Sequence, residues 1–98
     1  MRLSWTAASR RHGISRSAAR FVIEHCGLVL VQPAPPGSPV PTVRLVYLGD
    51  DDKGRALEVV GVEMEPGQVG EEHIRIIHAM ALREKYRSGY EEAKKWRV

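Results

Sequence analysis

The sequence has few of the residues from which several kinds of site are built. It contains one cysteine, Cys26, which excludes an internal disulfide and a cysteine-rich zinc site. No apolar run reaches the roughly 18 residues that a membrane-spanning helix needs. The segment 1–11 contains arginines but lacks the apolar core of a secretory signal. We therefore expect a cytoplasmic protein with no membrane partner.

The chain is also short. Its 98 residues leave room for one domain, expected to span 1–98. Hydrophobic residues make up 43% of the sequence and charged residues 28%, a balance typical of globular proteins, which excludes intrinsic disorder as the main interpretation. A chain of this size buries only about 60–65% of its unfolded surface, so we expect modest stability that a binding partner would increase.

Charge is distributed unevenly along the sequence, whose formal net charge is +3. Residues 1–27 contain five arginines and one acid, and residues 73–98 contain seven basic and three acidic side chains. Between them, residues 28–72 contain eight acids and three basic residues. If the two basic ends meet in the fold, they form a cationic patch able to bind the phosphates of a nucleic acid. The alternative is a solvated surface whose charges partly neutralise one another.

The residue pattern predicts an α+β fold with two short N-terminal helices, an antiparallel sheet of three to four strands and a C-terminal helix. The first helix is predicted over 7–12, and Ser15 is expected to cap a second helix that ends at Gly27. Strands are predicted at 28–31, 42–48, 55–64 and 73–79, followed by a helix from Ala81. Segment 33–41 holds five of the six prolines and is expected to be a surface loop.

Two features of the sequence are candidates for metal binding. Three consecutive aspartates, Asp50 to Asp52, lie in a predicted hairpin turn, but the distant glutamate of an EF-hand is missing. His73 and His78 are an odd number of residues apart, so on one regular strand they point to opposite faces. We therefore predict neither a metal nor another cofactor.

Segment 9–23 resembles a helix-turn-helix, with a glycine between two predicted helices and arginines on the second. Such a unit would place the second helix in the major groove of DNA. A helix-turn-helix needs a third helix to complete its core, whereas a strand and a proline-rich loop are predicted next. A DNA-binding regulator is therefore the alternative function.

A second resemblance covers most of the chain. Six segments in order resemble motifs of the BrnT-type toxins: SW at 4–5, RHGIS at 11–15, RLVYLG at 44–49, KGR at 53–55, RIIHA at 75–79 and YEE at 90–92. The resemblance implies a RelE-like fold and a metal-independent endoribonuclease toxin. It further implies a ribbon-helix-helix antitoxin as partner, and a homodimer or a heterotetramer with that antitoxin.

Three positions depart from the family pattern. Asp50 replaces an arginine after the hairpin glycine, Met80 replaces an arginine near the end of the RIIHA motif, and His78 replaces a serine. If the missing arginines carry cleavage in the family, this chain is altered or is an inactive member that only binds its antitoxin. Arg83, one helical turn beyond Met80 in the predicted helix, is a candidate replacement.

Metal-free RNA cleavage requires a base for the 2′-hydroxyl, an acid for the leaving oxygen and cations for the phosphate. Histidine has a suitable pKa, although His78 shares the parity of Ile74 and Ile76 and could instead be buried. Tyr86 could stack on a base or supply a hydroxyl, or belong to the core with Tyr90. The candidate catalytic residues are His12, His78, Arg83 and Tyr86. The candidate RNA-binding residues are Arg11, Arg55, Arg75, Lys85 and Arg87, each of which could equally be solvated or ion-paired.

Overall fold

The computed structural model describes residues 1–65 and 71–96. These residues form an α+β fold with a five-stranded mixed sheet and two α-helices, one of them C-terminal. In chain order the elements are β1 (Arg2–Trp5), a 3-10 turn (Ala7–Arg10), α1 (Arg16–His25), β2 (Val29–Gln32), β3 (Arg44–Asp50), β4 (Ala56–Met64), β5 (His73–Ala81), a second 3-10 turn (Glu84–Tyr86) and α2 (Arg87–Lys94). Among these elements, no helix is long and apolar enough to cross a membrane.

The sheet differs from the predicted three or four antiparallel strands. Its strand order is β1-β5-β4-β3-β2, and the unpredicted strand β1 pairs in parallel with β5. The four residues of β1 are too few to produce a periodic pattern of their own. Their partners lie about 70 positions away, a distance over which local sequence carries no information.

The N-terminal segment contains one α-helix rather than two. Residues Ala7–Arg10 form a single 3-10 turn, capped by the Thr6 hydroxyl, which accepts from the Ser9 amide at 3.2 Å. Helix α1 begins as predicted: the Ser15 hydroxyl accepts a hydrogen bond from the Ala18 amide at 3.1 Å. Gly27, with φ of +80°, follows the helix as expected of a residue that ends one.

The two helices lie on opposite faces of the sheet, here called the α1 face and the α2 face. Side chains buried on the α1 face include Ala18, Val22, Tyr47, Leu57, Val59, Ile74 and Ile76. Those on the α2 face include Val46, Leu48, Val60, Tyr86 and Tyr90. Fully burying one such aliphatic side chain stabilises the fold by about 1.5–3 kcal/mol, so both faces contribute to folding.

A β-bulge in β5 changes which side chains face each helix. The register pairs Val60 with His78 but Gly61 with Ile76, which leaves Ile77 as the extra residue. Ile77 packs with the α2-face cluster, whereas Ile76 belongs to the α1-face cluster. The sequence spacing placed His78 on the same face of the sheet as Ile74 and Ile76. This prediction is wrong, because the bulge turns His78 to the α2 face.

The C-terminal helix also starts later than predicted, at Arg87 rather than at Ala81. Strand β5 continues to Ala81, and the Leu82 amide donates to the Ala56 carbonyl, so the chain stays extended next to β4. Arg83 precedes the second 3-10 turn with extended backbone angles, and it does not lie one helical turn beyond Met80. The proline-rich segment 33–41 contains neither helix nor strand, as predicted.

Candidate active site

A fully buried carboxylate organises the α2 face near the end of β5. Glu58 is the third residue of β4, and 0% of its side chain is exposed. Its Oε1 accepts hydrogen bonds from the Arg83 backbone amide at 2.9 Å and from Arg83 Nε at 3.0 Å. Its Oε2 accepts from Arg83 Nη2 at 2.8 Å. This two-pronged pairing fixes the guanidinium in one orientation and leaves Nη1 unused by the carboxylate.

His78 lies against the same carboxylate. Its Nε2 is buried, 3.3 Å from Glu58 Oε2, at ion-pair distance but without the angles of a hydrogen bond. About a quarter of the side chain, 24%, is exposed. Because Nε2 faces Glu58, Nδ1 is the ring nitrogen available to a substrate.

His12 completes the group from a distant part of the chain. It follows the first 3-10 turn and is exposed to solvent. Its ring packs edge-on against that of His78, with 5.7 Å between centroids. The turn is held at this place because the Thr6 amide and hydroxyl both donate to the Ile76 carbonyl, immediately before the bulge. Two candidate histidines are thus adjacent beside the candidate cation Arg83.

The electrostatics of the group follow from burial and from these pairs. Burial lowers the pKa of His78 below 6.5, and the attraction of Glu58 only partly opposes this, while the positive charges of Arg83 and His12 lower it further. Burial alone would raise the pKa of Glu58, but the hydrogen bonds and charge of Arg83 hold it below 4.5. The same hydrogen bonds raise the pKa of Arg83. At neutral pH the group therefore contains a neutral His78 next to an Arg83–Glu58 ion pair.

Tyr86 lies next to this group, but its side chain is buried in the core. Only 8% of the residue is exposed, and its hydroxyl donates to Gln32 Oε1 at 2.9 Å. The Arg83 guanidinium carbon lies 5.7 Å from its ring centroid and Lys85 Nζ lies 5.0 Å from it. Tyr86 thus supports two cations, and its hydroxyl is already engaged.

Arg55 extends the site at the β3–β4 hairpin, where it is tied to the buried Asp51. Asp51 Oδ1 accepts from the Lys53 and Arg55 amides, each at 2.9 Å, and Oδ2 accepts from Arg55 Nε at 2.7 Å. Asp51 thus has a structural role that the prediction of a simple solvated turn did not include. Burial would raise its pKa, but these hydrogen bonds hold it below the ordinary value.

The other RNA-binding candidates are all exposed. Arg11 precedes His12 in the chain, and Arg75 lies on the α2 face, where its Nε donates to Ser4 Oγ at 3.4 Å. Arg87 begins α2 with Glu84 and Glu91 each at 3.9 Å, and its guanidinium carbon lies 6.0 Å from the ring centroid of Tyr90. The structure therefore places Arg83 beside His78 and Arg75 on the same face of the sheet. Arg11 adjoins His12 in the chain, Lys85 lies in the second 3-10 turn and Arg87 begins α2.

The positions that depart from the family pattern are also engaged. The Tyr90 hydroxyl donates to Asp50 Oδ1 at 2.5 Å, connecting α2 to the end of β3. Met80 pairs with Glu58 in the β4–β5 register, next to the Arg83–Glu58 pair. Met80 and Arg83 thus both adjoin Glu58 on this face.

Glu58 is the site residue that the sequence reasoning missed. It interrupts the run Ala56–Val62, in which Leu57, Val59, Val60 and Val62 are all buried. A carboxylate within a strand that is buried on both faces needs a cationic partner. That signal was present in the sequence, although the identity of the partner was not.

The bulge also alters the histidine geometry that the sequence implied. His73 and Arg75 are two residues apart before the bulge and therefore share the α2 face. Because the bulge places His78 on this face as well, the prediction that the two histidines point to opposite faces is wrong. Five residues of strand, about 16 Å, still separate the two histidines. The His73 ring pairs instead with Ser4 Oγ at 2.8 Å. Within residues 1–65 and 71–96, no three histidine, cysteine, aspartate or glutamate side chains are grouped to hold a metal ion.

Segment 9–23 does not have the two helices that the helix-turn-helix alternative requires. Its first helix is only the 3-10 turn, and α1 packs its buried residues Ala18, Ala19, Val22 and Ile23 against the sheet. The next element is strand β2.

Comparison with known proteins adds no assignment: the chain matches no protein-family model and no curated protein at a significant level of similarity.

Proposed function

We propose that this protein is an RNA-binding, metal-independent endoribonuclease with a RelE-like fold, acting as the toxin of a toxin–antitoxin system. The observation that carries the proposal is the contact between the rings of His12 and His78 beside Arg83. Residues from two distant parts of the chain thereby supply two proton-transfer groups and a cation in one place. This is the set that transesterification of RNA requires.

In the proposed reaction His78 acts as the base, because its lowered pKa keeps the ring neutral at neutral pH. The one proton of the neutral ring belongs on Nε2, which faces the Glu58 carboxylate, and this leaves Nδ1 as the acceptor. It removes the proton of a ribose 2′-hydroxyl, whose oxygen attacks the adjacent phosphorus. His12, whose exposed ring lies against that of His78, donates a proton to the departing 5′-oxygen. The products are a 2′,3′-cyclic phosphate and a 5′-hydroxyl, and no water or metal ion is consumed.

Arg83 stabilises the charge that develops on the phosphate. Its side chain is 43% exposed, and Nη1 takes no part in the hydrogen bonds to Glu58. Glu58 acts as a positioning residue, since it holds both Arg83 and the buried nitrogen of His78. Arg11, Arg55, Arg75, Lys85 and Arg87 surround the centre as phosphate contacts, while Tyr86 supports Arg83 and Lys85 from the core.

The proposed function includes a ribbon-helix-helix antitoxin as partner, in a heterotetramer or with a homodimer of this chain. The basis for this part is the resemblance of motif order to the BrnT-type toxins. A basic active-site face would attract an acidic segment of such an antitoxin in place of RNA. Purification after co-expression of this chain with a ribbon-helix-helix antitoxin of the BrnT type tests it, with recovery of a stoichiometric complex expected.

The test of catalysis uses purified protein and a defined RNA, with 5′ ends mapped after incubation in EDTA. Single variants His12→Ala and His78→Ala should each lower cleavage by about 10²–10⁴-fold. His25→Ala is the matched control, because that exposed ring stacks on Phe21 at 4.1 Å on α1. Full cleavage by His78→Ala, or loss in EDTA, would contradict the proposal.

Arg83→Lys separates charge from geometry. Lysine keeps a cation but cannot reproduce the two parallel hydrogen bonds to Glu58, so we expect partial cleavage, below the wild type and above Arg83→Ala. Expression of the protein alone in bacteria should arrest growth and produce new RNA 5′ ends. Normal growth with intact RNA at confirmed expression would instead favour the inactive antitoxin-binding member, and DNA binding through 9–23 would be tested next.

A further inference from the structure

A second concave feature lies on the α2 face, beyond the histidine pair. It is a groove of about 210 Å³ lined by Thr6, Val40, Arg44, Val62, Met64, Arg75 and Ile77. Its floor comes from β4 and β5, and its wall comes from the proline-rich loop. The exposed lining is almost entirely apolar, although two of the lining residues, Arg44 and Arg75, are arginines.

The loop wall of the groove is fastened in place. Arg44 Nη1 donates to the Thr42 carbonyl at 2.7 Å, and Nη2 donates to Ser38 Oγ at 3.0 Å. The Ser38 hydroxyl in turn donates to the Val40 carbonyl at 3.0 Å and accepts from the Val40 amide at 3.3 Å. These bonds hold Val40 over the strands, which makes the groove a preformed feature.

The two arginines of the groove are not neutralised by acids. Across residues 1–65 and 71–96, neither Arg44 nor Arg75 has a carboxylate at ion-pair distance. Their hydrogen bonds go to neutral oxygens of Thr42, Ser38 and Ser4. An apolar floor next to two such cations fits a ligand with a flat apolar part and an anionic part.

The groove is also directly connected to the histidine pair. Ile77 lines it, and the next residue along the same bulge is His78, about 3.8 Å away between Cα atoms. Its volume lies below the roughly 300–1,000 Å³ of pockets that enclose a whole drug-sized ligand. A single ring system fits such a space, whereas a folded peptide segment does not.

We propose that this groove binds one nucleobase of the RNA, next to the phosphate that is cleaved, with Arg44 and Arg75 binding the phosphate attached to that nucleotide. This inference rests on the proposed function, to which it adds a base-binding subsite. The Met64 thioether and the side chains of Val62 and Ile77 contact the base, because sulfur and aliphatic groups pack well on aromatic rings. The guanidinium planes provide further stacking surfaces and charge.

The methionines allow a direct test. In the full chain labelled with ¹³C at methionine methyl groups, Met64 reports on the groove and Met80 reports on the neighbouring histidine site. The probes are the four ribonucleoside 3′-monophosphates and, separately, inorganic phosphate. We expect at least one nucleotide to shift the Met64 signal saturably, and inorganic phosphate to leave it in place.

Substitutions then assign the charges. Arg75→Gln should weaken nucleotide binding about tenfold, as expected for the loss of one charge-assisted contact. Arg44→Gln should weaken it at least as much, because it also removes the hydrogen bonds to Thr42 and Ser38 that fix the loop wall. Arg20→Gln, an exposed arginine on α1, is the control and should bind as the wild type does. No Met64 shift with any nucleotide, an equal shift with inorganic phosphate, or equal weakening by Arg20→Gln would overturn the inference.

The outcomes also separate this inference from the proposed function. Nucleotide binding at Met64 in a protein that cleaves no RNA would retain the subsite and contradict the nuclease. Cleavage that depends on His12 and His78, with the Met64 signal unaffected by every nucleotide, would support the nuclease and contradict the subsite. A Met64 signal that moves only when a protein partner is added would assign the groove to that partner and overturn the subsite.

Discussion

The guanidinium of Arg83 covers both oxygens of the Glu58 carboxylate, with Nε and Nη2 at 3.0 and 2.8 Å from them. The two partners differ sharply in exposure, since Glu58 is fully buried and Arg83 is 43% exposed. Removing one partner therefore does not have the same effect as removing the other. A buried carboxylate without its cation is costly, whereas a half-exposed guanidinium without its acid becomes hydrated.

We predict that Arg83→Ala is more destabilising than Glu58→Gln. The first leaves a buried charge without its main partner and should lower the free energy of unfolding by about 3–5 kcal/mol. The second keeps shape and removes the charge, and should lower it by about 1–3 kcal/mol. Urea unfolding of both variants and of the double variant measures this. Equal effects, or a larger effect of Glu58→Gln, would show that the pair is not stabilised in the way described.

We predict that stability declines on acidification in two steps. The pKa of His78 is lower in the folded protein than its ordinary 6.5, so its contribution is complete above that pH and is lost as pH falls through the folded value. The pKa of Glu58 is likewise below 4.5, so its contribution is lost at still lower pH. Urea unfolding at about pH 7.5, about pH 5.5 and about pH 4 measures both steps.

The variant His78→Gln should reduce the first step only. Glu58, Arg83 and His12 are the charged or titratable groups that face His78, and all three remain in this variant. His25→Gln, which removes an exposed histidine from α1, is its control. An unchanged first step in His78→Gln would assign that step to another group.

We predict that Gly89 is required by close packing of α2 on the sheet. A Cβ at this position would lie 2.9 Å from both Leu30 Cδ1 and Leu48 Cδ1. Gly89→Ala should therefore lose about 1–3 kcal/mol through overpacking, set against a gain of about 1 kcal/mol in helix propensity. Adding Leu30→Val, which removes the contacting Cδ1, should make the double variant more stable than the sum of the single effects. Strict additivity in thermal unfolding would contradict this contact.

We predict that Asp51 and Asp52 differ although they are neighbours in one acidic turn. Asp51 caps two backbone amides and pairs with Arg55, so Asp51→Ala should lower the melting temperature. Asp52 is exposed, and Asp52→Ala should leave the melting temperature within experimental error. Asp51→Asn retains an oxygen for the two amides and should fall between them. Identical melting curves for Asp51→Ala and Asp52→Ala would exclude the capping role.

Local signals in the sequence predicted local structure well. Ser15 and Gly27 bound α1 because a hydroxyl acceptor and a residue tolerant of positive φ act within a few positions of themselves. The prolines of 33–41 exclude regular structure for an equally local reason, the missing amide donor. Strands β2 to β5 carried enough β-branched and aliphatic residues to be recognised within two residues of their ends.

What the sequence did not predict depends on distant partners. Strand β1 exists because it pairs with β5, and the bulge at Ile77 exists because of the β4–β5 register. His78 was therefore assigned to the wrong face, and its contact with His12 was not foreseen. Glu58 could have been flagged as an acid among buried residues, but only the fold shows that Arg83 is its partner.

The parallel pairing of β1 with β5 has a consequence for when the site can form. Thr6 reaches the Ile76 carbonyl across 70 positions of the chain, and that contact holds the turn that carries His12. During synthesis His12 is made early, yet it has no partner until β5 has been completed and docked. A chain that is still growing on the ribosome thus lacks the paired histidines, so the proposed cleavage can begin only after β5 has emerged and paired with β1.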